Sequence, residues 1–264
     1  MLSVIVLWGA PAAAEDWKAL VEQLASPDKQ IETQAGDRLQ KVVFPWLQSL
    51  DTASLNAQVA QIAPLCDDPR PGVSFKAVAL ITMLVMMRRD SAAVIKPAVP
   101  ALLRHFSDSN PKLRDNAILC IAAALPAPPT EALQPLIGLL KDPNLRAVGG
   151  ASLGLMRLSP TAPAAEDAVI GFLSKEKQPD RLIAVLNGIG QAHTAGTATV
   201  DAVAGYLRHR DERVASAAID ALQELGGKAA SALPALEAVA ADPDAALGRK
   251  AAAKTAIEVI SRQK

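Results

Sequence analysis

One short phrase recurs along the whole chain: a turn carrying an acidic residue or a proline, with a short apolar-periodic segment before it and a longer one after it. The turns are SPDK at Ser26, DDPR at Asp67, DSNPK at Asp108, KDPN at Lys141, KQPD at Lys177, RDER at Arg210 and ADPD at Ala241. Six contain proline (Pro27, Pro69, Pro111, Pro143, Pro179 and Pro243). Their successive spacings are 42, 42, 32, 36 and 64 residues, the last equal to two units of 32, and Glu212 stands where the missing proline would be. Self-similarity at such a period signals stacked supersecondary units and argues against a single thick globule.

Within each unit the apolar residues recur at steps of three and four, which is helical spacing. WKALVEQLA, ALQPLIGLL and ALPALEAVA precede turns; LRDNAILCIAAAL, LRAVGGASLGLMRL and VASAAIDALQELG follow them. An Asp or Ser before the proline suits an N-cap, and proline suits the first helical turn because its missing N–H has no partner there. Gly190 and Gly226 read as C-terminal stops. The unit is therefore helix, tight turn, helix. One such pair cannot bury its apolar face alone, so the expectation is an all-α stack of seven antiparallel pairs, about fourteen helices. The Pro-rich stretches LPAPPTEAL and LSPTAPAAED are short enough to be inter-repeat loops, which leaves residues 15–264 as one domain. The first two units are longer, and VVFPWLQSLD (Val42–Asp51) departs from the pattern, as a terminal unit capping an open core should.

Composition agrees with thin layers. Aromatic residues make up only 3% of the chain, so the core must come from Ala, Leu, Val and Ile. Met83, Met86 and Met87 read as filler in that core. Lys plus Arg and Asp plus Glu are both 27, a formal net charge of zero. Binding through nucleic-acid phosphates needs a basic excess, so nucleic acid is not an expected partner. Cys66 and Cys120 lie in apolar surroundings without CxxC spacing. They read as buried thiols, or as one disulfide if the compartment is oxidising.

The opening MLSVIVLWGAPAAAEDW has an apolar run from Leu2 to Trp8, broken by Gly9 and Pro11, followed by Ala12-Ala13-Ala14. That is the pattern of a secretory signal over residues 1–14, cut before Glu15 and placing the mature chain in the periplasm or outside the cell, although no Lys or Arg precedes the run. The other reading is an ordinary buried N-terminal helix in a cytoplasmic protein. The run is too short to span a membrane, and no span is expected in the mature chain.

The second-helix phrase resembles the HEAT-repeat family, best in DPNLRAVGGASLG (Asp142–Gly154), DSNPKLRDNAILCIAA (Asp108–Ala123) and DERVASAAIDAL (Asp211–Leu222). The resemblance covers nearly the whole chain after residue 15 and implies a right-handed α-solenoid. Arg114 and Arg146 match the family's arginine, whereas Ala215 and Ala246 replace it in two units. In that family the arginine commonly pairs with an acidic turn of a neighbouring repeat. The resemblance therefore implies a structural ladder of Asp108, Arg114, Asp142, Arg146 and Asp211. The competing reading has Arg114 and Arg146 lining the inner surface and reading a partner's carboxylates. It also implies that the second helices line the concave side, making Lys112, Asp115, Asn116, Asn187, Ser216, Asp220, Gln223 and Glu224 the candidate partner-binding residues.

Chemistry is sparse. His105, His193 and His209 have no second His or Cys at metal-ligand spacing. No Ser sits in a nucleophile elbow, and GGASLG and NGIG follow no strand and precede no phosphate-binding Lys. No cofactor or metal is expected. The leading expectation is a non-catalytic, exported scaffold that binds another protein or peptide. A phycobilin-lyase-like HEAT enzyme and a HEAT-like DNA glycosylase are the alternatives. The glycosylase is disfavoured by neutral charge and few aromatics, because an extruded base needs a basic groove and stacking side chains.

Overall fold

The computed structural model describes residues 16–124 and 126–263. The signal expected at 1–14 and its expected boundary at Glu15 lie outside them. Sixteen α-helical segments follow one another: α1 (Trp17–Leu24), α2 (Lys29–Arg38), α3 (Phe44–Ser49), α4 (Thr52–Ile62), α5 (Pro71–Met87), α6 (Ser91–Val94), α7 (Val99–Arg104), α8 (Pro111–Ala122), α9 (Leu133–Leu139), α10 (Leu145–Leu158), α11 (Ala164–Leu173), α12 (Pro179–Ala192), α13 (Thr197–Ala204), α14 (Glu212–Leu225), α15 (Leu233–Ala241) and α16 (Leu247–Arg262). No strand occurs among the described residues. The first helices of the seven pairs are α1, α4, α7, α9, α11, α13 and α15; the second are α2, α5, α8, α10, α12, α14 and α16. The chain is an α-solenoid of seven repeats, as its period predicts.

The turns share one device. In each, a side chain accepts the backbone N–H two residues on: Ser26 from Asp28 (3.1 Å), Asp68 from Arg70 (2.9 Å), Asp108 from Asn110 (2.7 Å), Asp142 from Asn144 (2.7 Å), Glu176 from Gln178 (2.8 Å), His209 from Asp211 (3.1 Å) and Asp242 from Asp244 (3.0 Å). Side chains that hydrogen-bond their own backbone two residues on make tight turns without help. In the first six turns the residue that donates this N–H is the N-cap of the second helix. The cap is therefore not simply the residue before proline. Asn110 precedes Pro111, whereas Asn144 and Asp28 follow Pro143 and Pro27.

Two local expectations are corrected, and VVFPWLQSLD takes a form outside the repeat phrase: α2 runs through a π turn (Leu39–Val43) into α3, with the Phe44 N–H bonded to Leu39 O. Pro45 has no N–H to return to Lys41, and a wider turn absorbs the missing bond. Gly190 lies inside α12, which instead stops at His193 in the left-handed conformation, φ 52°. Gly226, with φ 58°, does stop α14. Met83, Met86 and Met87 are not core residues: they are 44%, 63% and 40% exposed, while Leu80, Ile81, Leu84 and Val85 of the same helix are buried.

One continuous apolar core runs between the two helix layers, built from Leu, Val, Ile and Ala. Cys66 and Cys120 are buried in it as free thiols, and burial pushes each up to about 12. The second helices α10, α12 and α14 pack on one another more closely than the first helices α9, α11 and α13 do. Glycine is the reason. A Cβ on Gly188 of α12 would lie 2.5 Å from Gly149 O and 2.9 Å from Leu153 N of α10; one on Gly190 would lie 3.0 Å from Ala221 Cα of α14. Closer approach on the second-helix side bends the stack towards that side and makes it concave.

Candidate concave binding groove

Across α8, α10 and α12 the concave face holds a groove of about 490 Å³. Its walls include Ile118 and Leu119 of α8, Leu145 and Leu153 of α10, and Ile183, Asn187 and Gln191 of α12. Gly149 and Gly150 leave the α10 backbone bare between them. Leu119 and Leu145 are 36% and 41% exposed, so the groove is open and apolar along much of its length.

Arg146 stands in this groove, exposed, and its guanidinium makes no hydrogen bond or ion pair; only its backbone N–H is engaged, by Asn144 Oδ1 at 2.9 Å. Its neighbours explain why. Counted from the turn acceptors, Lys112, Arg146, Asp180 and Arg213 occupy the same position in four successive repeats. Asp180 is already held by Arg213 at 2.9 Å, and Lys112 is a like charge. Asp115 is held by the Asn144 amide at 2.9 Å. Arg146 is left without an anion.

The expected ladder of Asp108, Arg114, Asp142, Arg146 and Asp211 does not form as such. Arg114 donates to the carbonyl of Asp108, in its own turn, at 3.2 Å, and its buried Nε has no hydrogen-bond partner, with Asp115 Oδ1 4.0 Å away. Asp108 takes His105 Nδ1 at 3.0 Å, and Asp211 takes Arg213 of its own helix. Asp142 engages the next repeat only through its carbonyl. Arg114 stands six residues after its turn acceptor and Arg146 four after its own, which turns the two side chains about 200° apart on their helices. A ladder is nonetheless present, carried by other residues. Arg70 bonds Glu22 (2.7 Å), Arg104 pairs with Asp67, Arg181 donates to Asp142 O (2.7 Å), Arg213 bonds Asp180, and Arg249 pairs with Glu212. His105 Nε2 lies 2.8 Å from Cys66 O. Arg181 is the tightest rung: it also bonds Glu176 at 2.9 Å, reaches Leu140 O and lies over the Phe172 ring.

The electrostatics follow these ties. Arg70 pulls the Asp68 carboxyl down to about 2. Arg213 lowers Asp211, and Arg249 lowers Glu212. Asp220 is different: no cation is beside it, and the desolvating protein around its carboxyl raises its pKa even though the side chain reaches solvent. At the far end of α10, Arg157 donates long bonds of 3.4 Å to Ala122 O of α8 and Gln191 O of α12. Burial lowers its pKa, and no carboxylate offsets it.

Of the candidate contact residues, Asp115 and Asn187 line the groove. Lys112, Asn187, Asp220 and Glu224 are exposed; Asn116, Ser216 and Gln223 are half-buried, with the Asn116 amide committed to Lys112 O at 2.9 Å. Sequence reasoning missed Leu119, Leu145 and Gln191. Counting Arg146 from its turn acceptor, rather than aligning it on the Leu-Arg pair, would have separated it from Arg114. His193 Nδ1 lies 3.0 Å from Glu224 O, and His209 serves its own turn. Among the described residues no three of His, Cys, Asp and Glu gather as metal ligands, and no helix is long and apolar enough to cross a membrane.

Residues 166–256 match the family of HEAT repeats. No curated protein matches the sequence. Among solved structures, an engineered protein superposes with a TM-score of 0.51 and 16% identity over 94% of this chain and 69% of its own. Kap121p bound to Ste12p superposes with a TM-score of 0.54 and 17% identity over 95% of this chain, and Kap121p bound to RanGTP with 0.52 and 17% over 94%. The chain spans only 27% and 26% of those two, so the likeness concerns a segment of them. Residues 166–256 are thus similar to HEAT repeats, and the seven stacked helix pairs give the whole chain an α-solenoid fold.

Proposed function

We propose that the protein is a non-catalytic scaffold whose concave face holds a segment of another protein. The observation that carries this is Arg146, a cation with no anion of its own, set in an open apolar groove. Exposed Leu119 and Leu145 beside it offer apolar contact, and the paired carboxylates of the edge leave Arg146 as the available charge. Burying apolar surface around one desolvated charged contact is how interface anchors work. Solenoids of this fold are crystallised with protein partners, as Kap121p is with Ste12p and with RanGTP. The test is site-specific photo-crosslinking. A photoreactive residue at Asn187, in the groove, is expected to trap one discrete protein in the native envelope. The same residue at Asp167, exposed on α11 in the other layer, is expected to trap none. Equal trapping from both sites, or none from Asn187, overturns the reading.

Export belongs to the same proposal. Its support is the apolar run with Ala12-Ala13-Ala14 behind it. The protein expressed with its natural upstream sequence should then be recovered with an N-terminus near Glu15, and an intact N-terminus on the purified chain would contradict export.

A further inference from the structure

Side chains without partners on the concave face are sorted by helix. On α5 and α8 they are mostly apolar, Met83, Met86, Met87 and Leu119, with the cation of Lys112 at the turn end of α8. On α10 they are Leu145 and the cation of Arg146; three helical turns further along the same stripe, Arg157 is bonded only to carbonyls and to no carboxylate. On α14 they are the carboxylates of Asp220 and Glu224, one turn apart, neither hydrogen-bonded nor ion-paired. Like charges at that spacing repel and cost the helix a little stability. Along the turn edge, by contrast, most carboxylates have a cation or an amide.

Contacts between neighbouring second helices fix their relative levels. Thr82 Oγ1 reaches Asn116 O, a Cβ on Gly150 would meet Ile118, Ser152 Oγ bonds Val185 O at 2.9 Å, and Gly190 lies against Ala221. These registers place Met86, Leu119, Leu153, Asn187 and Asp220 on one band that crosses five helices. Packed helices are about 9 Å apart, so α10 and α14 stand about 18 Å apart; Arg146 lies two turns before Leu153 on α10, about 10 Å off the band, which puts it about 21 Å from Asp220, a distance that six or seven extended residues cover.

Resting on the groove reading above, we propose that the occupant is an extended peptide segment of a partner protein whose residues run apolar, acidic, basic from α5 towards α14. The apolar residues lie on the methionines and Leu119, a carboxylate meets Arg146, and a Lys or Arg, six or seven positions on, meets Asp220 and Glu224. Segregated opposite charges on one face give a ligand both its order and its register. A phosphate-bearing strand or an anionic lipid surface would satisfy α10 but would be repelled at α14.

The experiment is selection of random display peptides, about 12 residues long to cross the band at about 3.3 Å per residue, on the full chain. The enriched peptides should place an acidic residue six or seven positions from a basic one, with apolar residues beyond the acidic end. Arg146→Glu should weaken a selected peptide about tenfold, the factor for one charged hydrogen bond, and a peptide with that acid changed to Lys should recover binding. Asp220→Lys with Glu224→Lys should do the same for the basic position. Enriched peptides that bind the groove without a charge order, or that keep it on Arg146→Glu, overturn the order and leave the groove reading standing. A single-stranded oligonucleotide that binds as tightly as the peptides overturns it too. No enrichment on the unaltered chain defeats both readings.

Discussion

The inner layer packs in two different ways. Between α10, α12 and α14 the helices meet through glycine, with backbone against backbone at Gly149, Gly188 and Gly190. Between α5 and α8 no glycine makes such a contact: Gly72 meets only Ala25, at 3.6 Å and beyond, and large aliphatic side chains fill the space. The first solution brings polar backbone and charged side chains close together and leaves a shallow trough over α10. The second stands taller and puts three methionines into solvent. Glycine contacts have nowhere to relax, whereas a thioether side chain repacks easily. The block that builds the groove should therefore be the block that tolerates least.

Four changes sharpen or break that contrast. Gly188→Ala should have the largest effect, a loss of about 3 kcal/mol, because its Cβ meets backbone atoms on α10 that cannot move aside. Denaturant unfolding measures it; a loss below about 1 kcal/mol, the lower end for overpacking, would mean that the helices can separate freely. Arg181→Ala comes next, at about 2 kcal/mol, the range for hydrogen bonds made by a charged donor. Gly171→Ala tests the other layer: nothing lies within 4 Å of a Cβ there, so α11 should gain about 0.5–1 kcal/mol from the better helix former. Met86→Gln should be smallest, within about 0.5 kcal/mol, as for other exposed sites.

Acid should act on both blocks alike. Asp68 at one end and Asp211 and Glu212 at the other all have carboxyls held below their ordinary values by arginine. A depressed carboxyl contributes stability above its unfolded pKa, near 4, and that contribution is lost as pH falls through the folded value. Asp220, raised, works weakly in the opposite sense. Thermal melting should thus be flat in pH above about 5 and fall between about 4 and 2. Melting that falls between pH 7 and 5 would point to groups other than these.

The stack was legible in the sequence because each unit carries both its turn device and its 3.6-residue period. The continuation of α2 into α3 was not, since VVFPWLQSLD departs from the phrase of the other units and no repeat supplies a template for it. The methionines were misplaced because α5 is apolar on every side, and such a helix reads as buried all round. Arg146 was misassigned for a sharper reason. The Leu-Arg pair of the repeat phrase aligned Arg146 with Arg114, but Pro143 precedes its cap and Pro111 follows its own, so the two pairs stand at different distances from their turns. The groove itself needs three helices at once, and no single repeat spells it.

The central claim is that Arg146 serves the groove while Arg181 serves the stack. The direct test is one pair of variants, Arg146→Ala and Arg181→Ala, each measured for thermal melting and for binding of one peptide selected on the unaltered chain. The account predicts unchanged melting with binding weakened up to about tenfold for Arg146→Ala, the factor for one charged hydrogen bond, and lowered melting with binding retained at low temperature for Arg181→Ala. Lowered melting with intact binding in Arg146→Ala would contradict it.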